Sequence, residues 1–524
     1  MRHVTGVAVV PVPVLLLALP GAPFLVTGST TVVATDPAAQ PVAERLAELL
    51  GSAVGARLAV RHDEARSDEA PAAVRVRLLT TAPAPDRPRA AVSAAAGGAP
   101  TDAGAETTRP DHDLPPGDEA YHLHVHAGGV DVLARTPAGL GHAVATLRQL
   151  LVTGPATGVS LPAVLIADAP RFAWRGLSVD VARHFVAVPD LRAVVDLMSG
   201  YKLNVLHLHL TDDQAWRLDV PSRPELVRRS SGASVGGDPG GHYSADEYAA
   251  LIAYAAERGV VVVPELDVPG HVNAALHAYG ELTPSGLPTE EYLGIEVGFS
   301  RLTAALPATA AFLHDVFTDV AAMTPGHWVH IGGDEVLGMA PDEYATLVSA
   351  AAAAVRAAGK QVVGWQEVAG TPLEPGTVVQ YWDVHADPAP FVAAGAAGAR
   401  LLLSPGDRTY LDMKYHPGYP LGLEWAGHVE LRDSYDWEPT TLLPGLPADA
   451  LVGVEAAVWT ETLRTLDDLT TMLLPRLAAV AEVAWSAPDH RDWEGFRTRL
   501  ARHGALWDAA GLAWYASPQV DWQR

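Results

Sequence analysis

"WVHIGGDEV" (residues 328–336) is a short apolar run that meets two glycines and then two acids. The run reads as a strand, and the glycines mark where the chain leaves it. In an extended strand, adjacent side chains face opposite sides. Asp334 and Glu335 could not serve one small molecule from inside it. Past a glycine bend that constraint lapses, and both can face one ligand. Two such carboxylates repel, which raises one pKa and keeps one group protonated as an acid. A plainer reading of the same residues stays open: Asp334 as a helix N-cap and Glu335 as a first-turn acid.

The same kind of run recurs along the chain. "RGLSVD" (175–180), "VLHLHL" (205–210), "VVVVPEL" (260–266), "WVHIGGD" (328–334), "QVVGW" (361–365), "VVQYW" (378–382), "RLLLS" (400–404) and "VGVEAAVW" (452–459) make eight. Helical stretches at 188–200, 244–258, 307–322 and 341–358 lie between several of them. Eight βα units predict an α/β fold with a (β/α)₈ barrel over 169–524. Barrel chemistry sits at the C-terminal ends of strands, and those ends are rich in polar and indole groups. In chain order they carry Asp180, Arg183 and His184; Asp212, Asp213 and Trp216; Asp267 and His271; Asp334 and Glu335; Trp365; Trp382; Tyr410 and Asp412; Trp459 and Glu461. Carboxylates, an arginine and indoles together suit a neutral polyhydroxylated ring. Indoles stack on its C–H faces while charged groups bind vicinal hydroxyls.

Residues 1–168 read as a separate, smaller α/β domain. "AAQPVAERLAELLG" (38–51) is an amphipathic helix closed by its glycine. "RLAVR" (57–61) and "AVRVRLLT" (73–80) alternate like strands, "AYHLHVHAGGVDVLART" (120–136) is a hairpin, and "GLGHAVATLRQLLV" (139–152) is a helix. Residues 81–118 are rich in Ala, Pro, Gly and Asp and read as a long low-complexity surface loop. "VAVVPVPVLLLALPGA" (7–22) has the apolarity of a signal-peptide core. Its three prolines and the strand-like "PFLVTGSTTVVAT" that follows favour the start of a folded domain.

Bulk composition narrows the function. The 524 residues carry a formal net charge of −25, which argues against nucleic acid or an anionic membrane surface as partner. Lysine occurs only at 202, 360 and 414. There is no cysteine, so disulfides, thiolate metal sites and a cysteine nucleophile are excluded. That absence fits the cytoplasm and is compatible with export. Tryptophan (13) outnumbers phenylalanine (8), an excess that sugar binding and coding bias explain equally well.

Segments such as "YKLNVLHLHLTDDQAWR" (201–217), "VVPELDVPGHVNAAL" (262–276), "HIGGDEV" (330–336), "GWQEV" (364–368), "VQYWD" (379–383), "SPGDRTYLDMKY" (404–415) and "GVEAAVWTETL" (453–463) resemble, in order, those of the family-20 glycoside hydrolases, the β-N-acetylhexosaminidases. The resemblance implies an exo-acting, retaining enzyme that removes terminal β-linked N-acetylglucosamine, with N-acetylgalactosamine a further candidate. It implies no cofactor, and substrate assistance: the 2-acetamido oxygen attacks the anomeric carbon and forms an oxazolinium ion. Glu335 is similar to the general acid and base, Asp334 to the group that orients the acetamide, and Tyr410 to the donor that holds its oxygen. Trp365, Trp382 and Trp459 would wall the sugar. Arg183 would hold the 3- and 4-hydroxyls, Glu461 the 4-hydroxyl and Asp412 the far side of the ring. Asp212 and His271 would support Glu335. The partner is then an N-acetylhexosamine-terminated oligosaccharide or glycoconjugate; oligomeric state is undetermined.

Three other readings exist. "HLHLTDD" puts His207 and His209 on one strand face, and with His271 and Asp334 they could make a metal-dependent hydrolase site; against it, both histidines lie within the strand, where hydrogen-bonded core residues sit. A non-catalytic sugar-binding protein would lack the acid pair, which is present. The same fold with a shifted substrate, such as a lacto-N-biosidase or a 6-sulfo-sugar hydrolase, depends on loops. The stretch 417–450, with Trp425 and Trp437, either borders an outer subsite or is loop structure.

Overall fold

The computed structural model describes residues 7–62, 73–78, 114–154 and 158–523. Most of the low-complexity stretch, 81–113, lies outside them. The chain divides into two compact units, one of residues 15–147 and 151–169, the other of residues 7–14, 148–150 and 170–523.

The larger unit is a closed, all-parallel barrel of eight strands: β1 (Trp174–Asp180), β2 (Val205–His209), β3 (Val261–Glu265), β4 (Trp328–His330), β5 (Gln361–Trp365), β6 (Val378–Tyr381), β7 (Arg400–Leu403) and β8 (Leu451–Val458). All eight runs read from the sequence are strands. Parallel strands covered by helices are buried on both faces, which is why these runs are largely apolar without a strict alternation; every residue of β1 is buried. The helices Val188–Gly200, Ala245–Glu257, Pro307–Met323 and Pro341–Ala357 fall where their periodicity put them. Val188–Gly200 buries Leu191, Val194, Val195 and Met198, a helical spacing. Ala245–Glu257 starts on a reciprocal Ser244–Glu247 capping box.

The barrel interior is layered. Trp174, Val205, Val263, Val363, Val378 and Leu402 form an apolar plug. Two residues further along their strands, on the same faces, come His207, Glu265, Trp365 and Gln380. A buried polar floor therefore lies between the plug and the strand ends.

The smaller unit holds a seven-stranded sheet in the order Leu15–Ala18, Val164–Asp168, Tyr121–His126, Gly129–Ala134, Ala73–Leu78, Thr31–Ala34, Ala59–His62. The hairpin over 120–136 is present, pairing Tyr121–His126 antiparallel with Gly129–Ala134. Leu15–Ala18, within the apolar N-terminal stretch, pairs with Val164–Asp168. Phe24–Val26 and Thr31–Ala34 are both strands but belong to different sheets. The first helix runs Gln40–Val54, past the glycine expected to close it. Gly51 stays helical, and Gly55 ends the helix in the left-handed conformation at φ 65°. Among the described residues no helix is long and apolar enough to cross a membrane.

Candidate active site

The two acids of "HIGGDEV" lie just past β4. Gly332 has φ 68° and Gly333 φ 112°, and Glu335 itself is left-handed at φ 50°. These dihedrals turn the chain out of the strand, so consecutive side chains stop diverging. Both carboxylates approach one atom: His271 Nε2 is 3.4 Å from Glu335 Oε2 and 3.8 Å from Asp334 Oδ2. His271, after β3, is also left-handed at φ 53°. Two non-glycine residues in that region at one site mark a backbone held against its preference by its surroundings. Neither acid caps a helix: the next one begins at Pro341, with Ala340 as N-cap.

A chain of imidazoles and carboxylates runs inward from Glu335. His271 Nδ1 is 3.1 Å from Asp212 Oδ1, and Asp212 Oδ2 is 2.9 Å from His209 Nε2. His209 Nδ1 is 2.7 Å from Glu265 Oε2, which is 2.9 Å from His207 Nε2. His207 Nδ1 is 2.9 Å from Glu455 Oε1. Burial opposes the cationic form of each histidine, but the flanking carboxylates outweigh it. His207 is pushed up to about 9, and His209 and His271 are raised well above the usual imidazole value. Burial works against the charge of Asp212 too, yet Arg183 and the two histidines hold it well below the usual range.

The sugar-facing groups predicted from sequence come together around this core. Arg183 Nη2 is 2.8 Å from Asp212 Oδ2, and its guanidinium lies 5.0 Å from the Trp459 ring centre. Its Nε and Nη1 are buried with no hydrogen-bond acceptor, as is Glu461 Oε2 with no donor. Buried polar groups are otherwise paired, so these are atoms for a ligand to satisfy. Asp180 takes the backbone N–H of Ala182 (2.8 Å) and Arg183 (3.1 Å) and so fixes that turn. Burial raises Asp412 well above the usual carboxylate value, with Glu461 adding to it, and pushes Glu461 up to about 7.

The indoles form a wall. Trp365 is buried, donates to Glu265 Oε1 (2.7 Å), and lies 5.9 Å from Trp459. Tyr410 lies 6.2 Å from Trp459 and stacks on Trp382 at 6.4 Å. Trp425, 53% exposed, meets Trp382 and Tyr410 edge-on at 5.7 and 5.5 Å. Of the residues of 417–450, Trp425 thus lies against two of the aromatics that the sequence reading assigned to the site. Trp437 donates to Ser434 O within its own loop. Trp216, in the strand-end inventory, is a core residue: 2% exposed, donating to Leu218 O and packed on Phe312.

Two groups escaped the sequence reading of roles. Asp267 Oδ1 accepts the N–H of Gly333 at 2.9 Å. Glu367, two residues after Trp365, accepts from Trp382 Nε1 at 3.4 Å, and burial with Asp334 nearby pushes it up to about 8. Its place just past β5 was the available signal.

Among the described residues, four buried trios have ligand-type atoms within 4.8 Å of one another: His207, Glu265 and His330; His209, Glu265 and Asp267; Asp212, Asp213 and His271; Asp267, His271 and Asp334. Each includes an imidazole whose two ring nitrogens both lie against carboxylates, which raise its pKa. The donor set fits a proton-linked network better than a metal centre.

The family model described as glycosyl hydrolase family 20, catalytic domain, matches residues 172–340 and 340–488, and that of family 20, domain 2, matches 6–169. A β-N-acetylhexosaminidase of Cellulomonas fimi is 57% identical over 518 residues, covering 98% of this chain and 97% of its own. The structure of a β-N-acetylhexosaminidase from Streptomyces coelicolor A3(2) is similar at TM-score 0.88 and 40% identity, over 98% of this chain and 99% of that one. A mutant β-hexosaminidase of Streptomyces plicatus, in complex with the product GlcNAc, matches at TM-score 0.87 and 40% identity, over 98% of both chains.

Proposed function

We propose, for a chain that belongs to glycosyl hydrolase family 20, that Glu335 is the acid and base, and Asp334 the acetamide-orienting group, of its reaction. The enzyme is a β-N-acetylhexosaminidase, an exo-acting retaining glycosidase that takes terminal β-linked N-acetylglucosamine by substrate assistance. N-acetylgalactosamine is a second substrate in this reading.

Glu335 protonates the glycosidic oxygen while the acetamido oxygen of the substrate closes on the anomeric carbon. It then takes a proton from the water that opens the oxazolinium ion. Asp334 accepts from the acetamide N–H and offsets the positive charge that grows there. Tyr410 donates to the acetamido oxygen. Trp365, Trp382 and Trp459 enclose the ring and the N-acetyl methyl. Arg183, Asp412 and Glu461 bind its hydroxyls, and Asp212 with His271 supports Glu335. Trp425 borders the aglycone side. The catalytic domain is taken as 169–524.

The observation that carries this reading is the approach of Asp334 and Glu335 to one nitrogen of His271, beside an indole wall. One acid then serves the glycosidic oxygen and its neighbour the acetamide, one carbon away on the same ring. The test is Glu335→Gln on N-acetyl-β-glucosaminides with poor and with activated leaving groups, with and without chelator. Single-turnover glycosylation should collapse for poor leaving groups and suffer much less for activated ones, with no effect of chelator. Equal losses for both classes would remove Glu335 from the acid role.

A further inference from the structure

Asp267 lies directly behind the acid pair. An ideal Cβ on Gly332 would sit 1.7 Å from Asp267 Oδ1, so the glycine leaves the room that this carboxyl occupies. Oδ1 is anchored by the N–H of Gly333. The other oxygen, Oδ2, is buried without a donor, and so is Asp334 Oδ1. Carboxyl oxygens of the two residues lie within 4.8 Å of each other. Two buried carboxyl groups, each short of a donor and side by side, are both satisfied by a single proton between them.

We propose that Asp267 is a positioning residue for the reaction: it carries that proton and donates it in a hydrogen bond to Asp334, so that Asp334 meets the acetamide as an anion held in one orientation. The proposal rests on the reading of Asp334 as the acetamide-orienting group. The groups that face Asp267 are Asp334, His271, Glu265 and His209, with Tyr344 from the helix Pro341–Ala357. Burial and the charge of Asp334 raise Asp267 well above the usual carboxylate value, against the pull of His271. Asp334 is likewise raised by burial, but His271 and the bond to Asp267 favour its anion. The pair therefore titrates as a unit holding one proton. Tyr344 completes the setting by donating to Gly333 O at 2.6 Å, which fixes the peptide between the two acids' anchors.

The test compares Asp267→Asn, Asp267→Ala and Asp334→Asn. Asparagine at 267 keeps both contacts: its amide donates to Asp334 and its carbonyl accepts from Gly333. It should hold kcat/KM and the affinity for a thiazoline mimic of the oxazolinium ion within about tenfold of the parent. On an activated aryl glycoside, whose departure needs little protonation by Glu335, it should also abolish the loss of kcat at high pH that follows when Asp267 ionises beside Asp334. Asp267→Ala should lose about a hundredfold in kcat with KM little changed. The proposal is overturned if Asp267→Asn is as impaired as Asp267→Ala, if Asp267→Ala is as active as the parent, or if the alkaline limb survives in Asp267→Asn. Should Asp267→Ala fail to fold, the asparagine pH profile decides alone. Asp334→Asn separates the two levels. If it keeps thiazoline affinity, the reading of Asp334 fails and this proposal with it. If it loses affinity and Asp267→Asn loses as much, only the proposal about Asp267 fails.

Discussion

Replacing Gly332 by alanine should cost both catalysis and stability, each by a few kcal/mol. The added Cβ would fall 1.7 Å from Asp267 Oδ1, 2.2 Å from its Cγ and 2.6 Å from its Cα, so rotating the carboxyl alone cannot clear it. The residue also holds φ 68°. A left-handed non-glycine residue costs about 1–2 kcal/mol, and overpacking a tight site about 1–3 kcal/mol, together about 2–5 kcal/mol. With an unfolding entropy of about 2.1 cal/mol/K per residue over roughly 350 residues of the barrel unit, the melting midpoint should fall by about 3–7 °C. The Gly333-to-Asp267 bond breaks, and Asp334 follows. A displacement near 1 Å at such a group is worth about a hundredfold in rate. Gly359→Ala is the control: its φ is 78°, but its Cβ would meet nothing within 4 Å. It should cost about 1–2 kcal/mol and leave activity intact. Calorimetry and kinetics on 4-nitrophenyl N-acetyl-β-glucosaminide read both. If Gly332→Ala matched Gly359→Ala in kcat/KM, the geometric account of the acid pair would be wrong.

Trp425→Ala should raise KM for N,N′-diacetylchitobiose by about fivefold, the value of one aromatic contact; the inhibition constant of free GlcNAc, which reaches only the inner subsite, should not move. A 2-deoxy-2-fluoro glucoside with a good leaving group should leave no ester on Asp334 by mass spectrometry, since the role proposed for Asp334 is to orient the acetamide; a stable adduct there would end that reading. Glu367 is pushed up to about 8, so the folded state binds its proton more tightly than the unfolded chain. Its stabilising contribution is complete below its ordinary carboxylate value and is lost as pH rises through about 8. The melting midpoint should decline across that window and decline less in Glu367→Gln; identical slopes would contradict the assignment. His207, at about 9, shares this sign and keeps part of the decline in the variant.

The barrel was legible because each strand is short, apolar and bounded, and because strand ends gather polar residues whatever the loops do. The helix Gln40–Val54 was misjudged at its end because a glycine can stay helical where its neighbours leave no room for a side chain: a Cβ on Gly51 would sit 2.5 Å from Ala56 O. The split of Phe24–Val26 and Thr31–Ala34 between two sheets is set by distant pairing, with Leu161 and Ala73 among the partners. The same limit applies at the site. Residue types at strand ends could be read in order, but the approach of Asp267 to Gly332 joins two strands across 65 positions. Trp425 comes from a loop with no periodicity to locate it.

The imidazole–carboxylate chain beneath Glu335 bears on how this sequence can change over time. Each member from His271 to Glu455 balances the charge of the next. Deleting one leaves a buried charge uncompensated, at about 3–5 kcal/mol, a large share of a domain's stability. Replacing two neighbours together by apolar residues of matching volume can be nearly free. The fitness landscape of the barrel floor is therefore rugged: single steps fall into valleys, and viable routes run through paired exchanges. The loop that carries Trp425, where a side chain half in solvent balances nothing, is open to drift one residue at a time. New aglycone preferences should arise there, while the floor stays locked by its own mutual dependence.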